Sequence, residues 1–387
     1  TGNDQDKLVI MREFSQDGRH LLLKEEHENG KILCFSYLPE TNLITAKLTK
    51  DHDKVCLREF YFYDDCHNLI QYILDNGSAL SSHDLDNVTQ RRITRYCLRD
   101  RPPFLHMPEW IEEKYLDNGT EKLLQKKHLL YDNQGNVSIE EIYDANGQYA
   151  YAINKKYNQR GDLISETNSL GQLATYEYDQ RGYCINETNF SGRIQKNRLF
   201  DAHGRLIEEK EVGDCGTSHN TNYEYDFHDR LIKKIDHFGH PTKYIYNPLV
   251  DKIIKTDFPD NVSTSSIYNA FGREIAHTDA NGNVKQYSYN AYGAVTETIY
   301  PSGEKEHFLY TKEGLLASHT NQERLTVSYS YDVLGNVTKK IYLLNNATFA
   351  QETFAYDGFN LIAKTNKEGH LTSCFYDEVG RLIKEDI

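Results

Sequence analysis

Repeated carboxylates and one close pair of histidines are the side chains whose spacing could support chemistry in this sequence. Aspartate recurs directly after an aromatic residue, as in "YDVLG" from Tyr331, and facing pairs of such carboxylates would suit acid–base catalysis. His237 and His240, in "DHFGHP", could share a metal ion. The strings "YDANGQ" over residues 143–148 and "DANGN" over residues 279–283 resemble parts of a calcium loop.

The surroundings of these side chains favour structural roles. Wherever the aspartate occurs, it stands at a turn-initiating position, and many copies of one active site in a single chain are implausible. The histidines have no third ligand in register, and neither calcium-like string is followed by the required glutamate. The sequence has no glycine-rich phosphate loop, no G-x-S-x-G elbow and no cysteine–histidine nucleophile pair. We therefore predict no catalytic, cofactor-binding or metal-binding residues, and a protein that is not an enzyme.

The composition argues against nucleic acid and membrane partners. The formal net charge is −14, from 44 Lys and Arg against 58 Asp and Glu, whereas a nucleic acid requires clustered cations. No apolar run approaches the roughly 20 residues that cross a bilayer. The seven cysteines form no C-x-x-C pair, which indicates neither a structural zinc site nor a disulfide framework. The sequence does not decide whether Cys56 and Cys66 form a disulfide bridge, because that depends on whether the two residues face each other across a hairpin.

The aromatic–aspartate motif belongs to an internal repeat with a period of about 21 residues. The next residue is Asp in seven copies, Asn in four and Thr in one, and Gly stands four places after the aromatic residue in nine. Weaker copies begin at Phe14, Tyr37 and Tyr63. The aromatic residues of the twelve clear copies are Tyr131, Tyr157, Tyr178, Phe200, Tyr225, Tyr246, Tyr268, Tyr289, Tyr310, Tyr331, Tyr356 and Tyr376.

This motif is typical of a tight hairpin corner. An Asp or Asn side chain accepts hydrogen bonds from backbone N–H groups two residues further on, and the glycine supplies the positive φ that closes the turn. The residues that we assign to this structural turn motif are Tyr131, Asp132, Gly135, Tyr178, Asp179, Gly182, Asp201, Gly204, Arg205, Tyr268, Gly272, Arg273, Tyr331, Asp332, Gly335, Tyr376, Asp377, Gly380 and Arg381.

Three copies lack the corner glycine, and each allows a specific prediction. Asp229 and Asn360 tolerate the left-handed region better than most residues and are expected to replace glycine there. Val250 does not tolerate the left-handed region, so Asp251 is expected to take the position with positive φ in that copy. A second corner follows 14 residues after the aromatic residue, where five copies have glycine and Asp260 takes the same place.

Alternating tyrosines between the corners predict strands of about eight residues. The fold class that follows is all-β, a repetitive antiparallel meander of hairpins with two strands per repeat. We expect degenerate repeats over residues 1–80 and regular repeats over residues 131–387, open at the C-terminal end. Residues 81–130, with adjacent prolines at 102 and 103, are expected to form an irregular excursion that then re-enters the sheet.

The motif as it stands in "FDAHGRLIEE" from Phe200 and "FYDEVGRLIKE" from Phe375 resembles the YD repeat of RHS-type proteins. That group includes bacterial polymorphic toxins, the B and C components of insecticidal toxin complexes, and teneurins. The resemblance implies a β-ribbon that coils into a hollow shell around a C-terminal toxic segment. The chain contains no Asp-Pro, so the self-cleavage motif of complete shells is absent. We therefore expect a wall segment of a longer polypeptide.

Two functions follow from the sequence. The first, implied by the resemblance, is a structural shell segment that shields a C-terminal toxin or effector, with the rest of the same polypeptide as its partner. The alternative is a carbohydrate- or cell-surface-binding module, in which exposed tyrosines stack on sugars. Either function predicts a secreted or cell-surface protein.

Overall fold

The computed structural model describes residues 9–77, 85, 88, 90–117, 119–214, 216–377 and 380–387. The first strands are β1 Ile10–Phe14, β2 Leu22–His27, β3 Lys31–Tyr37, β4 Ile44–Asp51, β5 Lys54–Tyr63, β6 Leu69–Asp75, β7 Arg91–Leu98, β8 Pro108–Asp117, β9 Thr120–Tyr131, β10 Val137–Tyr143 and β11 Tyr149–Tyr157. The next are β12 Leu163–Thr167, β13 Leu173–Tyr178, β14 Cys184–Thr188, β15 Gln195–Phe200, β16 Leu206–Val212, β17 Ser218–Tyr225, β18 Leu231–Ile235, β19 Pro241–Tyr246, β20 Ile253–Asp257, β21 Ser263–Tyr268 and β22 Glu274–Thr278. The last are β23 Val284–Tyr289, β24 Val295–Ile299, β25 Lys305–Tyr310, β26 Leu316–Thr320, β27 Leu325–Tyr331, β28 Val337–Leu344, β29 Ala347–Tyr356, β30 Leu361–Thr365, β31 Leu371–Tyr376 and β32 Leu382–Asp386.

The prediction of an all-β meander of antiparallel hairpins is confirmed. A single 3-10 turn, Pro259–Asn261, is the only helical element among the described residues. Within that part of the chain, no helix has the length and apolar character needed to span a membrane.

The chain divides into two compact units. Unit 1 comprises residues 1–129, 141–150 and 308–387, and unit 2 comprises residues 130–140 and 151–307. Strands β1–β8 and β26–β32 therefore belong to unit 1, and β12–β24 belong to unit 2.

The hairpins of unit 2 that turn at the motif corner share one register. The aromatic residue of the motif ends one strand and pairs with the first residue of the next, as Tyr178 does with Cys184. A one-residue shift precedes it, here between Glu177 and Tyr178. Strands such as β19 and β23 alternate strictly between exposed and half-buried residues, with the tyrosines on the half-buried face. The period-two tyrosine pattern therefore sets one face of the sheet.

Unit 1 contains the apolar core of the described structure. Ala46, Phe60, Ile73 and Ile93 lie side by side on β4, β5, β6 and β7, and each is almost fully buried. Leu85, from the connection between β6 and β7, packs against them. Leu85 therefore covers part of one face of the four strands.

A buried ionic cluster lies beside this core. The Arg58 guanidinium donates to both carboxylate oxygens of Asp75, at 2.7 and 3.1 Å, and Arg91 donates to the same carboxylate at 3.1 Å. Arg58 and Asp75 are completely buried. Gly77 passes so close that a Cβ there would lie 2.1 Å from the Arg58 guanidinium. Nothing in the repeat pattern indicates this cluster.

Most of the described part of residues 81–130 belongs to the sheet. β7 pairs with β8, and β8 pairs with β9. Pro102 and Pro103 lie in the connection between β7 and β8, joined by a cis peptide bond. The expected start of the excursion, at residue 81, lies outside the described residues. The described irregular part is thus shorter than the sequence suggests.

Candidate functional site

The repeated corner is an Asx turn that closes on a left-handed glycine. In the corner of Asp179, one carboxylate oxygen accepts from the backbone N–H groups of Arg181 and Tyr183, at 2.9 and 3.0 Å. The Gly182 N–H donates to the Asp179 carbonyl oxygen at 3.1 Å, and the φ of Gly182 is +96°. The aspartate thus satisfies turn donors that the hairpin would otherwise leave unpaired.

The same geometry recurs at the other residues that we assign to the motif. Asp132, Asp201, Asp332 and Asp377 each accept from the N–H group four residues on, at 2.8 to 3.0 Å. A positive φ is found at Gly135, Gly182, Gly204, Gly272, Gly335 and Gly380. The carboxylates are therefore occupied by the turn.

For the three copies without corner glycine, two predictions agree with the structure and one does not. Asp229 and Asp251 have φ values of +63° and +50°, as predicted. The prediction for Asn360 is wrong, because Gly358 takes the left-handed position there, with a φ of +103°. In that copy the Asn360 N–H donates to the Asp357 carboxylate after three residues instead of four, so the corner is one residue shorter.

The motif tyrosine binds the preceding repeat through its hydroxyl. The Tyr178 hydroxyl donates to the Leu163 carbonyl oxygen at 2.9 Å, and Tyr331 donates to the Leu316 carbonyl oxygen at 2.8 Å. The accepting residue always lies just after the previous corner. The other tyrosines that make this bond are Tyr37, Tyr63, Tyr225, Tyr246 and Tyr289. Each of these seven corners is thereby tied to its neighbour across two strands, which sequence reasoning missed.

Arginines join successive corners along the same edge of the sheet. Arg205 donates to Asp201 in its own corner at 2.7 Å, and to the Asp226 carbonyl oxygen and the Asp229 carboxylate of the next corner at 3.1 and 2.9 Å. Its guanidinium lies 5.1 Å from the centre of the Tyr225 ring. One side chain thus spans two corners and lies over the aromatic residue of the second.

Two sequence positions supply this arginine. Arg205, Arg230 and Arg273 follow the corner glycine or its substitute, whereas Arg160 and Arg181 precede it. Arg181 nevertheless donates to the Asp201 carbonyl oxygen of the next corner at 2.7 Å. Arginines at the two positions reach equivalent carbonyl oxygens because both positions lie in the same tight turn. The alignment of the repeats does not show this equivalence.

The corner geometry shifts the acidity of its side chains. The pKa of Asp201 is lowered to about 2, chiefly by the hydrogen bond from the Arg205 N–H, with a further contribution from the Arg205 guanidinium. Burial raises the pKa of the Tyr178 hydroxyl. Both groups therefore stay in their binding form, carboxylate and neutral phenol, over the ordinary pH range.

The residues that might have bound metal are engaged elsewhere. His237 lies against His219, with ring centres 4.3 Å apart, and the Asp279 carboxylate accepts the N–H groups of its own turn. No group of three His, Cys, Asp or Glu side chains suited to a metal ion occurs in the described ranges. Cys56 and Cys66 are both free thiols.

The corners of unit 1 contact strands near the start of the chain. Lys312, in the corner between β25 and β26, places its Nζ 2.6 Å from the Glu28 carboxylate, in the turn between β2 and β3. Cys56, just after the turn between β4 and β5, lies against the corner of Asp357, where a Cβ at Gly358 would be 3.1 Å from the Cys56 carbonyl oxygen. Burial raises the pKa of the Cys56 thiol, and the charge of Asp332 adds to that rise.

The contact is most extensive at the corner of Asp357. The Gln90 side-chain amide donates to the Asp357 carboxylate, and the Asn76 amide donates to its carbonyl oxygen at 3.5 Å. The Arg92 guanidinium lies 5.6 Å from the centre of the Phe359 ring. Asn76 and Gln90 flank the connection between β6 and β7.

These contacts keep one register. The corners after β25 and β29 meet the connections after β2 and β6, so both edges advance by two repeats between these contacts. Because neighbouring strands are antiparallel, each set of connections lies along a single edge of its sheet. Within unit 1, one edge of the late repeats therefore lies along the opposite edge of the early strands.

The hairpin sheet and its repeated corners define an all-β repeat protein. The RHS Repeat family matches residues 157–194 and 268–305. The chain thus contains RHS repeats. No curated protein sequence matches it.

Solved structures of other proteins share this fold. The crystal structure of TcdB2-TccC3-Cdc42 has a TM-score of 0.67 and 12% identity, over 98% of this chain and 22% of that chain. TcdB2-TccC3 without its hypervariable C-terminal region has a TM-score of 0.66 and 12% identity, over 98% and 22%. The chain thus spans about a fifth of the length of these structures, and at this identity the likeness shows the fold.

Proposed function

We propose that this chain forms part of the wall of a hollow shell that encloses and shields a toxin or effector segment of the same polypeptide. The observation that carries this proposal is the single-layer construction of unit 2. Among its described residues, only Ala174 and Thr298 are fully buried. A globular domain of similar length would bury a core between two packed layers. A sheet with two accessible faces suits a wall, since one face can meet solvent and the other the enclosed segment.

The similar structures add support of a coarser kind. One of them is TcdB2-TccC3 without a hypervariable C-terminal region, so that protein carries such a region when complete. By analogy, the enclosed segment of the present protein lies in the rest of its polypeptide, and the assembled protein is exported from the cell. The role of the chain described here is structural and not catalytic.

The glycan-binding alternative has less support from the site. Stacking on sugars needs free aromatic faces, but the motif tyrosines are half-buried and several donate their hydroxyls to carbonyl oxygens. Arginines also lie over some of these rings, as Arg230 lies 4.7 Å from the centre of the Tyr246 ring.

Limited proteolysis of the full-length protein tests the proposal. We expect the C-terminal segment to resist digestion while the wall is intact, and to be digested faster in Phe359→Ala, which removes the ring that Arg92 covers. Phe375→Ala is the matched control, because this ring lies in the next hairpin and is exposed. The shielding role would be refuted if the C-terminal segment were digested at the same rate within the unaltered full-length protein as it is when isolated.

A further inference from the structure

A mainly apolar cavity of about 290 Å³ lies beside strand β5 in unit 1. Phe60 and Phe62 of β5 both line it, and Phe60 also belongs to the apolar core. Leu85, which packs against that core, and Leu38, in the turn after β3, complete the apolar part of the lining. The cavity is therefore a continuation of the core of unit 1. We call it the β5 cavity.

The walls of the β5 cavity are held in place by contacts outside it. Phe60 is almost fully buried, and the Arg58 guanidinium lies 5.1 Å from the centre of its ring. The hydroxyl of Tyr63, another lining residue, donates to the Ile44 carbonyl oxygen on β4 at 2.9 Å. A ligand would thus enter a space whose walls are already ordered, which lowers the entropic cost of binding.

The polar groups of the lining are few and mostly engaged. The Tyr61 hydroxyl donates to the Glu59 carboxylate at 2.8 Å, and the Tyr63 hydroxyl binds its carbonyl oxygen. Among the described lining residues, Thr45 supplies the remaining side-chain hydroxyl, and none is charged. Because burying an unpaired charge is costly, the lining suits an uncharged ligand with one polar group.

The volume of the β5 cavity limits the size of its ligand. A cavity of about 150 Å³ lined by Leu, Ile and Phe holds a benzene molecule. Pockets for drug-sized ligands begin at about 300 Å³. The volume of about 290 Å³ corresponds to two fused aromatic rings. Phe62, which is 40% exposed, offers an aromatic ring against which such a ligand can pack.

We propose that the β5 cavity binds a small uncharged aromatic molecule of two fused rings, with one polar group that reaches the Thr45 hydroxyl. Its rings pack against Phe60 and Phe62, and Leu38 and Leu85 enclose them. This ligand site goes beyond the structural role proposed for the chain and does not depend on it.

Isothermal titration calorimetry of the full-length protein with 2-naphthol tests the inference. This probe has two fused rings and one hydroxyl, whereas 2-naphthoate has similar size and carries a charge that the lining does not pair. Phe62→Ala removes the exposed ring of the cavity. Phe14→Ala is the matched control, because Phe14 lies on β1 of the same unit, is 42% exposed and does not line the cavity.

We expect one 2-naphthol molecule to bind per chain, and to bind about two- to tenfold more weakly in Phe62→Ala through the loss of one aromatic contact. Its affinity should be unchanged in Phe14→Ala. 2-Naphthoate should bind at least about tenfold more weakly than 2-naphthol, because its charge would be buried without a partner. Leu38→Trp, which narrows the cavity without removing a ring, should also weaken the binding of 2-naphthol.

Absence of 2-naphthol binding would overturn the inference, as would be found if a segment of the same polypeptide already fills the cavity. Equal losses of affinity in Phe62→Ala and Phe14→Ala, equal affinities for 2-naphthol and 2-naphthoate, or unchanged affinity in Leu38→Trp would overturn it as well. Each of these results leaves the shielding role untouched, since that role is measured by proteolysis of the C-terminal segment.

Discussion

At the scale of the residue, the corner glycine acts through the backbone alone. A Cβ at Gly335 would meet nothing within 4 Å, yet its φ is +91°. We expect Gly335→Val to lower the free energy of unfolding by about 1–3 kcal/mol, because a β-branched residue resists this conformation. Gly335→Asn should cost less. Chemical denaturation measures both, and Gly213→Ala is the control, since Gly213 lacks a positive φ. Unchanged stability in Gly335→Val would contradict the turn geometry.

The tyrosine hydroxyl is a second test at this scale. Tyr178→Phe removes the hydrogen bond to the Leu163 carbonyl oxygen and leaves the ring in place. We expect a loss of about 0.5–1.5 kcal/mol in the free energy of unfolding. Tyr149→Phe, at an exposed ring, should change it little. Equal effects from the two substitutions would mean that the hydroxyl does not tie neighbouring repeats together.

The Asp201 carboxylate predicts a dependence on pH. Its pKa is lowered to about 2 in the folded protein from an ordinary value of 3.8. Its stabilising contribution is therefore complete above about pH 4 and is lost as the pH falls through about 2. We expect Asp201→Asn, which keeps the turn acceptor, to show a shallower loss of stability over this range. Thermal unfolding between pH 5 and 2 measures the difference, and identical pH profiles would contradict it.

At the scale of the element, the corners were predictable because their chemistry is local. The turn requires a positive φ at Gly182, which depends on that residue alone. The Asp179 carboxylate accepts from backbone N–H groups within four residues. The Asn360 prediction failed because one residue is missing from that corner, which moves the left-handed position to Gly358. The bond from Tyr178 to Leu163 depends on register across two strands, and no single repeat encodes it.

The strands β4–β7 depend on an ionic cluster that the repeat pattern does not encode. Asp75→Ala would leave Arg58 and Arg91 buried without their shared carboxylate. We expect a loss of about 3–5 kcal/mol in the free energy of unfolding, measured by denaturant titration. Glu385→Ala, which breaks the exposed pair with Lys364, is the control and should have little effect. A comparably small effect of Asp75→Ala would show that the cluster contributes no stability.

At the scale of the whole molecule, periodicity predicts the sheet but not which distant turns meet. The hydrogen bond from the Asn76 side-chain amide to the Asp357 carbonyl oxygen joins residues 281 positions apart. Such a contact depends on the curvature of many successive hairpins, to which each strand adds a small twist. The expectation that the repeats stay open at the C-terminal end remains a prediction.

Zero-length cross-linking tests the central claim most directly, namely that late corners lie in register along early turns. Carbodiimide joins Lys to Glu only when the two are in contact, and Lys312 Nζ lies 2.6 Å from the Glu28 carboxylate, 284 residues away. Lys305 and Glu297, 3.0 Å apart, supply an internal reference within one hairpin. Mass spectrometry of the monomer should find both linked peptide pairs, and Lys312→Arg should remove only the first. Detection of the Lys305–Glu297 pair without the Lys312–Glu28 pair would contradict the account.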